Sequence, residues 1–316
     1  MNPHVPVMLS EILDILELHV AKDRAALFID ATLGGGGHSF AILEKYPNMH
    51  LVGFDQDECA RKLAGERLVE FGDRVRIVGE NFSEMPDFLS DSEKQEGACG
   101  VLFDLGVSNM QLTTPERGFS YQNDGPLDMR MNTSSDLFRA VDIVREYDER
   151  ELTRIFRDYG EERHAFAIAR SIVRARASGN VPATSMELTS LIRKTLPAPV
   201  QRKMGTHPAR RVFQALRIAV NSELDVIPRG LLGAYEVTRG GGVIIVISYH
   251  SLEDRIVKRT FRSWADENYG HMLIRKPTLP TDAERESNRS SRSAKLRAFI
   301  LNDIKEDYRG SGGTLR

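Results

Sequence analysis

The first hundred or so residues repeat one pattern, in which short apolar runs alternate with amphipathic stretches. Ala26-Leu27-Phe28-Ile29 ends at Asp30, and a glycine loop and a helical stretch from His38 to about Tyr46 follow. His50-Leu51-Val52-Gly53-Phe54 ends at Asp55, and a helix from about Glu58 to Phe71 follows. Val75–Val78 reads as a third strand and Gly100–Phe103 as a fourth, ending at Asp104. Unbroken apolar runs suit strands buried on both faces, and the helices between them require a parallel sheet. Right-handed crossovers then build a doubly wound α/β fold whose ligand crevice lies at the carboxyl ends of the strands. Three of those ends carry a carboxylate.

The rhythm changes after Ser108. Residues 113–134 are rich in Gly, Asn, Asp, Ser and Thr, as a long structured loop would be. From Asp136 to Leu196 the pattern is helical, with capping boxes expected at Asp148-x-x-Glu151 and Thr184-x-x-Glu187 and a stop at Pro197 and Pro199. A long helix is expected from about Ala209 to Val226. Gly240–Gly242 and the strand Val243–Ile247 follow, then a helix from His250 to Arg262 and strands near Met272–Arg275 and Leu296–Leu301. These signals divide the chain into a first part of a parallel core (1–112), an inserted all-helical subdomain (113–205) and a second part of the core (206–316).

With 316 residues and 41% hydrophobic content, such a chain buries a core without staples. Cys59 and Cys99 belong to no CxxC pair, which argues against a disulfide scaffold or structural zinc and fits a reducing, cytoplasmic setting. The aliphatic run Val243–Ile247 is too short for a bilayer, so no membrane is expected. Nor does Met1–His4 lead from basic residues into an apolar stretch, so no secretory signal is expected. No HExxH spacing occurs among the histidines, and no catalytic metal is expected.

The net charge of -2 hides a gradient. Residues 1–60 hold nine acids against three bases, whereas residues 193–217 hold seven bases and no acid, and residues 285–297 five bases and one acid. Segregation of this kind can build an anion-binding face on a near-neutral protein.

Asp30-Ala31-Thr32-Leu33-Gly34-Gly35-Gly36-Gly37-His38 follows the first strand and opens a helix, a place where backbone and helix terminus suit a phosphate or carboxylate. Asp55 stands 21 residues beyond Gly34, the spacing of an acid that accepts from ribose hydroxyls. A dinucleotide and S-adenosylmethionine both remain candidates. The GxGxxG fingerprint has Ser39 at its third glycine. Asp30, Gly34 and Gly36 instead resemble a class I methyltransferase loop in which Thr32 replaces the first glycine. Asp104-Leu105-Gly106-Val107-Ser108 then puts an acid and small polar groups at a strand end, which resembles the place where base-amine methyltransferases present acceptors to an exocyclic amine, although a strand-end cap or a cofactor contact would also account for Asp104.

Gly34–His38, Asp104–Gln111, Glu116–Tyr121 (ERGFSY), Gly125–Met131 (GPLDMRM), Tyr159–Arg163 (YGEER), Phe213–Leu224 (FQALRIAVNSEL) and Ser248–Arg259 (SYHSLEDRIVKR) together resemble, in order, the segments of the 16S ribosomal RNA cytidine N4-methyltransferases, the small subunit methyltransferase H family. The resemblance covers about residues 4–300. It implies a Rossmann-like class I methyltransferase core with the helical insertion. It further implies transfer of a methyl group from S-adenosylmethionine to N4 of one cytidine, cytidine 1402, in the decoding region of 16S rRNA. Carried over residue by residue, it places cofactor contacts on Gly36, Gly37, His38, Asp55, Phe82, Asp104 and Gln111. Its expected partner is 16S rRNA, within the small ribosomal subunit, and it leaves a homodimer open. Position 249 is Tyr where Phe is also common, an exchange expected to be nearly neutral. The tail after about Asn302 carries no motif.

His250-Ser251-Leu252-Glu253-Asp254 contains the residue types of a hydrolase triad, but neighbours on one turn cannot form that relay. Ser251 is expected to cap the following helix, with His250 at the crevice rim as a candidate contact to the substrate base. Asp104, Ser108 and His250 are therefore the catalytic candidates. Arg210, Arg211, Lys258, Arg259, Arg289 and Arg292 are the candidates for RNA phosphates, and the helical insertion is the element expected to hold the RNA. Phe119 and Tyr121 suit either a stack on an extruded base or a loop anchor, and Trp264 suits packing. Two other classes compete: a methyltransferase acting on a small molecule or protein, and a non-enzymatic RNA-binding ribosome assembly factor.

Overall fold

The computed structural model describes residues 6–20 and 25–303, so the expectations for the first residues and the tail lie outside the described residues. The chain forms two compact units, a sheet unit of residues 1–106 with 224–316 and a helical unit of residues 107–223.

The sheet unit contains α1 (Leu9–His19), β1 (Ala26–Asp30), α2 (Gly37–Lys45), β2 (Met49–Phe54), α3 (Glu58–Leu68), β3 (Val75–Val78), α4 (Asp91–Glu96) and β4 (Ala98–Asp104). The chain leaves for α5 (Asn109–Thr113), α6 (Ala140–Glu146), α7 (Glu149–Asp158), α8 (Ala165–Ala177), α9 (Ser185–Thr195), α10 (Ala198–Lys203) and α11 (Arg210–Asn221). It returns as α12 (Glu223–Val237), β5 (Thr238–Ser248), α13 (Ser251–Asp266), β6 (Gly270–Met272), α14 (Asp282–Ser287) and β7 (Lys295–Leu301).

The seven strands lie in the order β3-β2-β1-β4-β5-β7-β6. The first five are parallel, and β7 runs antiparallel to both β5 and β6. Successive residues of a strand point to opposite faces. Phe28, Leu51, Leu102 and Ile245 accordingly bury against Ile12, Leu16, Ile42 and Leu43 on one face. On the other, Ile29, Val52, Phe103 and Val246 bury against Leu231, Tyr235, Val257 and Phe261. Order reverses between β1 and β4, so the carboxyl ends of these neighbours flank the switch-point crevice of an open α/β sheet. Asp30, Asp104 and the Ser248–Tyr249 turn all stand there.

The helical unit has its own core, with Leu152, Phe156, Ile168, Ile172, Leu188 and Ile192 meeting Val212, Phe213 and Leu216 of α11. This moves both expected boundaries. The unit begins at Val107 and not 113, and it keeps α11, which the sequence pattern places in the core, because that helix buries its apolar face among α7–α9. The single long helix expected over 209–226 is two helices, broken where Ser222 takes a left-handed φ of 51°. Both capping boxes form as expected, at Asp148/Glu151 and at Thr184/Glu187.

The long loop before α6 is an ordered part of this unit. Leu127 and Met129 are fully buried, and Arg130 clasps Asp128 through Nε and Nη2, each at 2.8 Å. Asn221 locks it in place: its Oδ1 accepts from Met131 N at 2.8 Å and its Nδ2 donates to Met129 O at 2.8 Å. The GPLDMRM and FQALRIAVNSEL motifs thus meet as a buried hydrogen-bonded joint. Phe119 lies in the core, and Tyr121 stacks on His207 at 4.8 Å, so both anchor the loop. Trp264 packs against Phe261, Tyr235 and Phe299, as its expected role requires. Among the described residues no helix is long and apolar enough to cross a membrane.

Candidate active site at the strand ends

Leaving β1, the chain crosses above β2 and enters α2 through Gly36, which has a left-handed φ of 72° and no side-chain cap. Leu33 N donates to Phe54 O at 2.9 Å and Gly34 N to Asp55 Oδ2 at 2.8 Å, which fixes the glycine loop against the end of β2. Asp57 N donates to the other Asp55 oxygen at 2.8 Å. Burial outweighs these donors and pushes the Asp55 carboxyl up to about 6. Gln56, the next residue, accepts from Asn81 Nδ2 at 3.3 Å. That contact leads to Phe82, which is partly buried and edge-on to Phe103 at 5.4 Å. The expected ribose acid and the expected adenine neighbour thus belong to one connected stretch of the sheet unit.

The other two strand-end acids differ in access. Asp30 is 1% exposed and accepts from Ser39 Oγ at 2.6 Å and from Thr32 N at 3.2 Å. Its burial holds it above the ordinary carboxylate range. It is a structural tie between β1 and α2. Asp104, by contrast, has a side chain 25% exposed. Tyr249 Oη donates to its Oδ1 at 2.6 Å, and His38 Nδ1 stands 3.7 Å from Oδ2. Backbone N–H of Asp104 donates to Thr32 Oγ1 at 2.6 Å, which explains why a hydroxyl replaces a glycine at position 32. His38 is buried, with Nε2 2.9 Å from Val7 O. Since a carbonyl only accepts, Nε2 carries the hydrogen.

His250 stands at the start of α13, but not as a free rim residue. Its Nδ1 accepts from Glu253 N at 3.4 Å, and Glu253 Oε2 accepts from the N–H groups of Tyr249 and His250 at 2.7 and 3.2 Å. His250 is therefore the N-cap that was expected of Ser251. The reciprocal Glu253 sits three residues on, as in a capping box with imidazole in place of a hydroxyl. Ser108 and Gln111 open the helical unit as another such box, with Gln111 N donating to Ser108 Oγ at 3.2 Å and Ser108 N to Gln111 Oε1 at 3.1 Å. Within the sheet unit, then, Gly36, Gly37, His38, Asp55, Phe82 and Asp104 lie on the segments that follow the carboxyl ends of β1, β2 and β3 or at the end of β4. Sequence reasoning named Thr32, Ser39 and Tyr249 without their bonds, whose partners lie 9 to 145 residues away in the chain.

The six candidate phosphate ligands are all exposed. Arg210 and Arg211 open α11 in the helical unit, where Arg211 Nη1 also donates to Glu161 O at 3.0 Å. Lys258 and Arg259 lie on α13, and Arg289 and Arg292 on the short 3-10 turn before β7. Two other bases of the late cluster are spoken for, since Arg297 Nε and Lys295 Nζ meet Asp254 at 2.7 and 3.4 Å.

Comparison with known proteins bears on this geometry. Residues 1–301 match the model of the MraW methylase family. The chain is 45% identical over 313 residues to a protein of Symbiobacterium thermophilum named ribosomal RNA small subunit methyltransferase H, covering 94% of this chain and 96% of that one. It is 45% identical over 325 residues to a protein of Leifsonia xyli with the same name, covering 98% and 97%. Among solved structures it is similar to a Streptococcus mutans protein described as a methyltransferase in complex with SAH, with a TM-score of 0.46, 10% identity and coverage of 94% and 99%.

Proposed function

We propose, from the premise that this chain belongs to the MraW methylase family, that it methylates the N4 amine of one cytidine, cytidine 1402, in the decoding region of 16S rRNA. Its core is a class I methyltransferase fold, and its cofactor is S-adenosylmethionine. Ribosomal RNA of the small subunit is the substrate that the names of its relatives support.

The residues present suit that cofactor. Gly36 leaves the first amides of α2 without a side-chain cap, a setting that favours a carboxylate such as that of a methionine moiety. Asp55 would accept from the ribose hydroxyls, and Phe82 would lie toward the adenine. When bound, S-adenosylmethionine supplies an electrophilic methyl group on a sulfonium. Everything else falls to the protein and the RNA.

One observation carries the reading. Of the three strand-end acids, Asp30 is sealed and Asp55 has both oxygens held by backbone amides, whereas Asp104 is partly exposed and is oriented by the Tyr249 hydroxyl. An exocyclic cytosine amine is a weak nucleophile because its lone pair is delocalised into the ring. A carboxylate that accepts from its N–H groups favours the pyramidal nitrogen needed for in-line attack, by positioning and electrostatics. Ser108 is the second acceptor in this proposal. Swinging the cytidine out of folded RNA costs a few kcal/mol. Phosphate contacts from Arg210, Arg211, Lys258, Arg259, Arg289 and Arg292 would offset that cost in the cytoplasmic small subunit.

The test is to incubate the protein with methyl-labelled S-adenosylmethionine and small subunits lacking the modification, then digest the RNA to nucleosides. Label in N4-methylcytidine is expected. Label in another nucleoside, in ribosomal protein or in a small molecule refutes the assignment, and absence of any transfer favours an assembly factor.

A further inference from the structure

Tyr249 begins the turn between β5 and α13, and its hydroxyl reaches an acid 145 residues earlier in the chain. Expected to be interchangeable with Phe, it instead carries an oxygen with a specific partner. Its seat is defined on two sides. Gly106 lies against the ring with a φ of +97°, where a β-carbon would stand 3.3 Å from Tyr249 Cδ2. The Tyr249 backbone N–H is held by buried Glu253 at 2.7 Å.

The direction of the 2.6 Å hydrogen bond follows from the charges around it. Burial and the Asp104 charge hold the Tyr249 hydroxyl well above its ordinary value, and Glu253 of α13 and Glu284 of α14 act the same way. The phenol therefore keeps its proton and donates. Asp104 in turn faces His38 from α2 and interacts with the Asp30 carboxyl of β1, which opposes its charge. Hydrogen bonds from a neutral donor to a carboxylate are short and about twice as strong as those between neutral groups.

We propose that Tyr249 is the positioning residue for Asp104: its hydroxyl pins one carboxylate oxygen and so sets the orientation and charge in which Asp104 meets the substrate. The identity of that substrate as a cytidine amine rests on the reading above, but the pinning of Asp104 does not. Without the hydroxyl, Asp104 keeps its acidic neighbour Asp30 and loses a donor, so its protonation range moves upward.

Tyr249→Phe keeps the ring against Gly106 and removes only the oxygen. In protein labelled with 13C at aspartate carboxyls, with the Asp104 signal assigned by Asp104→Asn, the variant should titrate Asp104 roughly one pH unit higher than wild type. The acid limb of the kcat profile for methyl transfer to undermethylated small subunits should move by the same amount. KM for the cofactor should stay within about twofold, as a role in orienting an acceptor predicts. An unchanged Asp104 titration overturns the proposal, whatever the product. A shifted titration with methylation at another nucleoside sustains it and refutes the cytidine reading instead.

Discussion

Cofactor binding should weaken on acidification, and Asp55 sets the range. Burial raises this carboxyl to about 6 despite the two backbone donors, Gly34 N and Asp57 N, that hold its oxygens at 2.8 Å. The ionised group accepts from ribose hydroxyls, whereas protonation turns one oxygen into a donor and withdraws an acceptor. With a midpoint near 6, about nine tenths of the protein is competent at pH 7 and about one tenth at pH 5, so the apparent Kd should rise roughly tenfold, or about 1.4 kcal/mol. The sign for stability is opposite. A carboxyl raised on folding favours the native state below about pH 4, and that contribution is lost as pH rises through about 6. Calorimetric titration of S-adenosylhomocysteine at constant ionic strength between pH 5 and 8 measures the effect, with Asp55→Asn as the control that should bind weakly and without this pH dependence. A wild-type Kd that is flat or tightens toward pH 5 would refute the assignment of Asp55 to the ribose.

Three further outcomes are expected. Asn221→Ala removes the bonds to Met131 N and Met129 O from a buried joint, so unfolding of the helical unit should become easier by about 1–3 kcal/mol, read from the denaturant midpoint. His250→Ala removes the α13 cap and should cost about 1 kcal/mol, while His250→Asn, a competent cap, should restore stability. Turnover retained in the Asn variant would assign the imidazole to capping and remove it from the reaction. Arg210→Ala should lower the log–log salt slope of rRNA binding by roughly 0.7 without altering cofactor affinity, and an unchanged slope would class Arg210 as ordinary surface.

What the sequence discloses here depends on range. β1, β2 and β4 are legible because a strand buried on both faces needs a continuous apolar run, and Ala26–Ile29, Leu51–Phe54 and Val101–Phe103 supply it. The acids at their ends are legible for the same reason, since the first polar residue after such a run marks where the strand leaves the core. Capping boxes span only four residues, so those at Asp148 and Thr184 are legible in local pattern alone. α12 went unseen because Pro228, Gly230 and Gly233 all disfavour a helix locally. Its reason is tertiary: at Gly230 a β-carbon would stand 2.3 Å from the Phe82 ring, so only glycine admits that contact. Tyr249 was hidden for a related reason. A hydroxyl whose partner is 145 residues away leaves no trace in local pattern, and comparison with Phe at the same position suggests that it is idle. Local pattern favours Ser251 over His250 as a cap because hydroxyls dominate that position, whereas an imidazole Nδ1 with Glu253 behind it fills the same role.

The central claim is that Asp104 acts on the substrate amine and not merely on the fold. Single-turnover methylation of undermethylated small subunits at saturating S-adenosylmethionine, comparing wild type with Asp104→Asn, tests it most directly. The account predicts a loss of roughly a hundredfold or more in the rate of N4-methylcytidine formation, with the variant folded and still binding cofactor. A variant that forms N4-methylcytidine at the wild-type rate would contradict it.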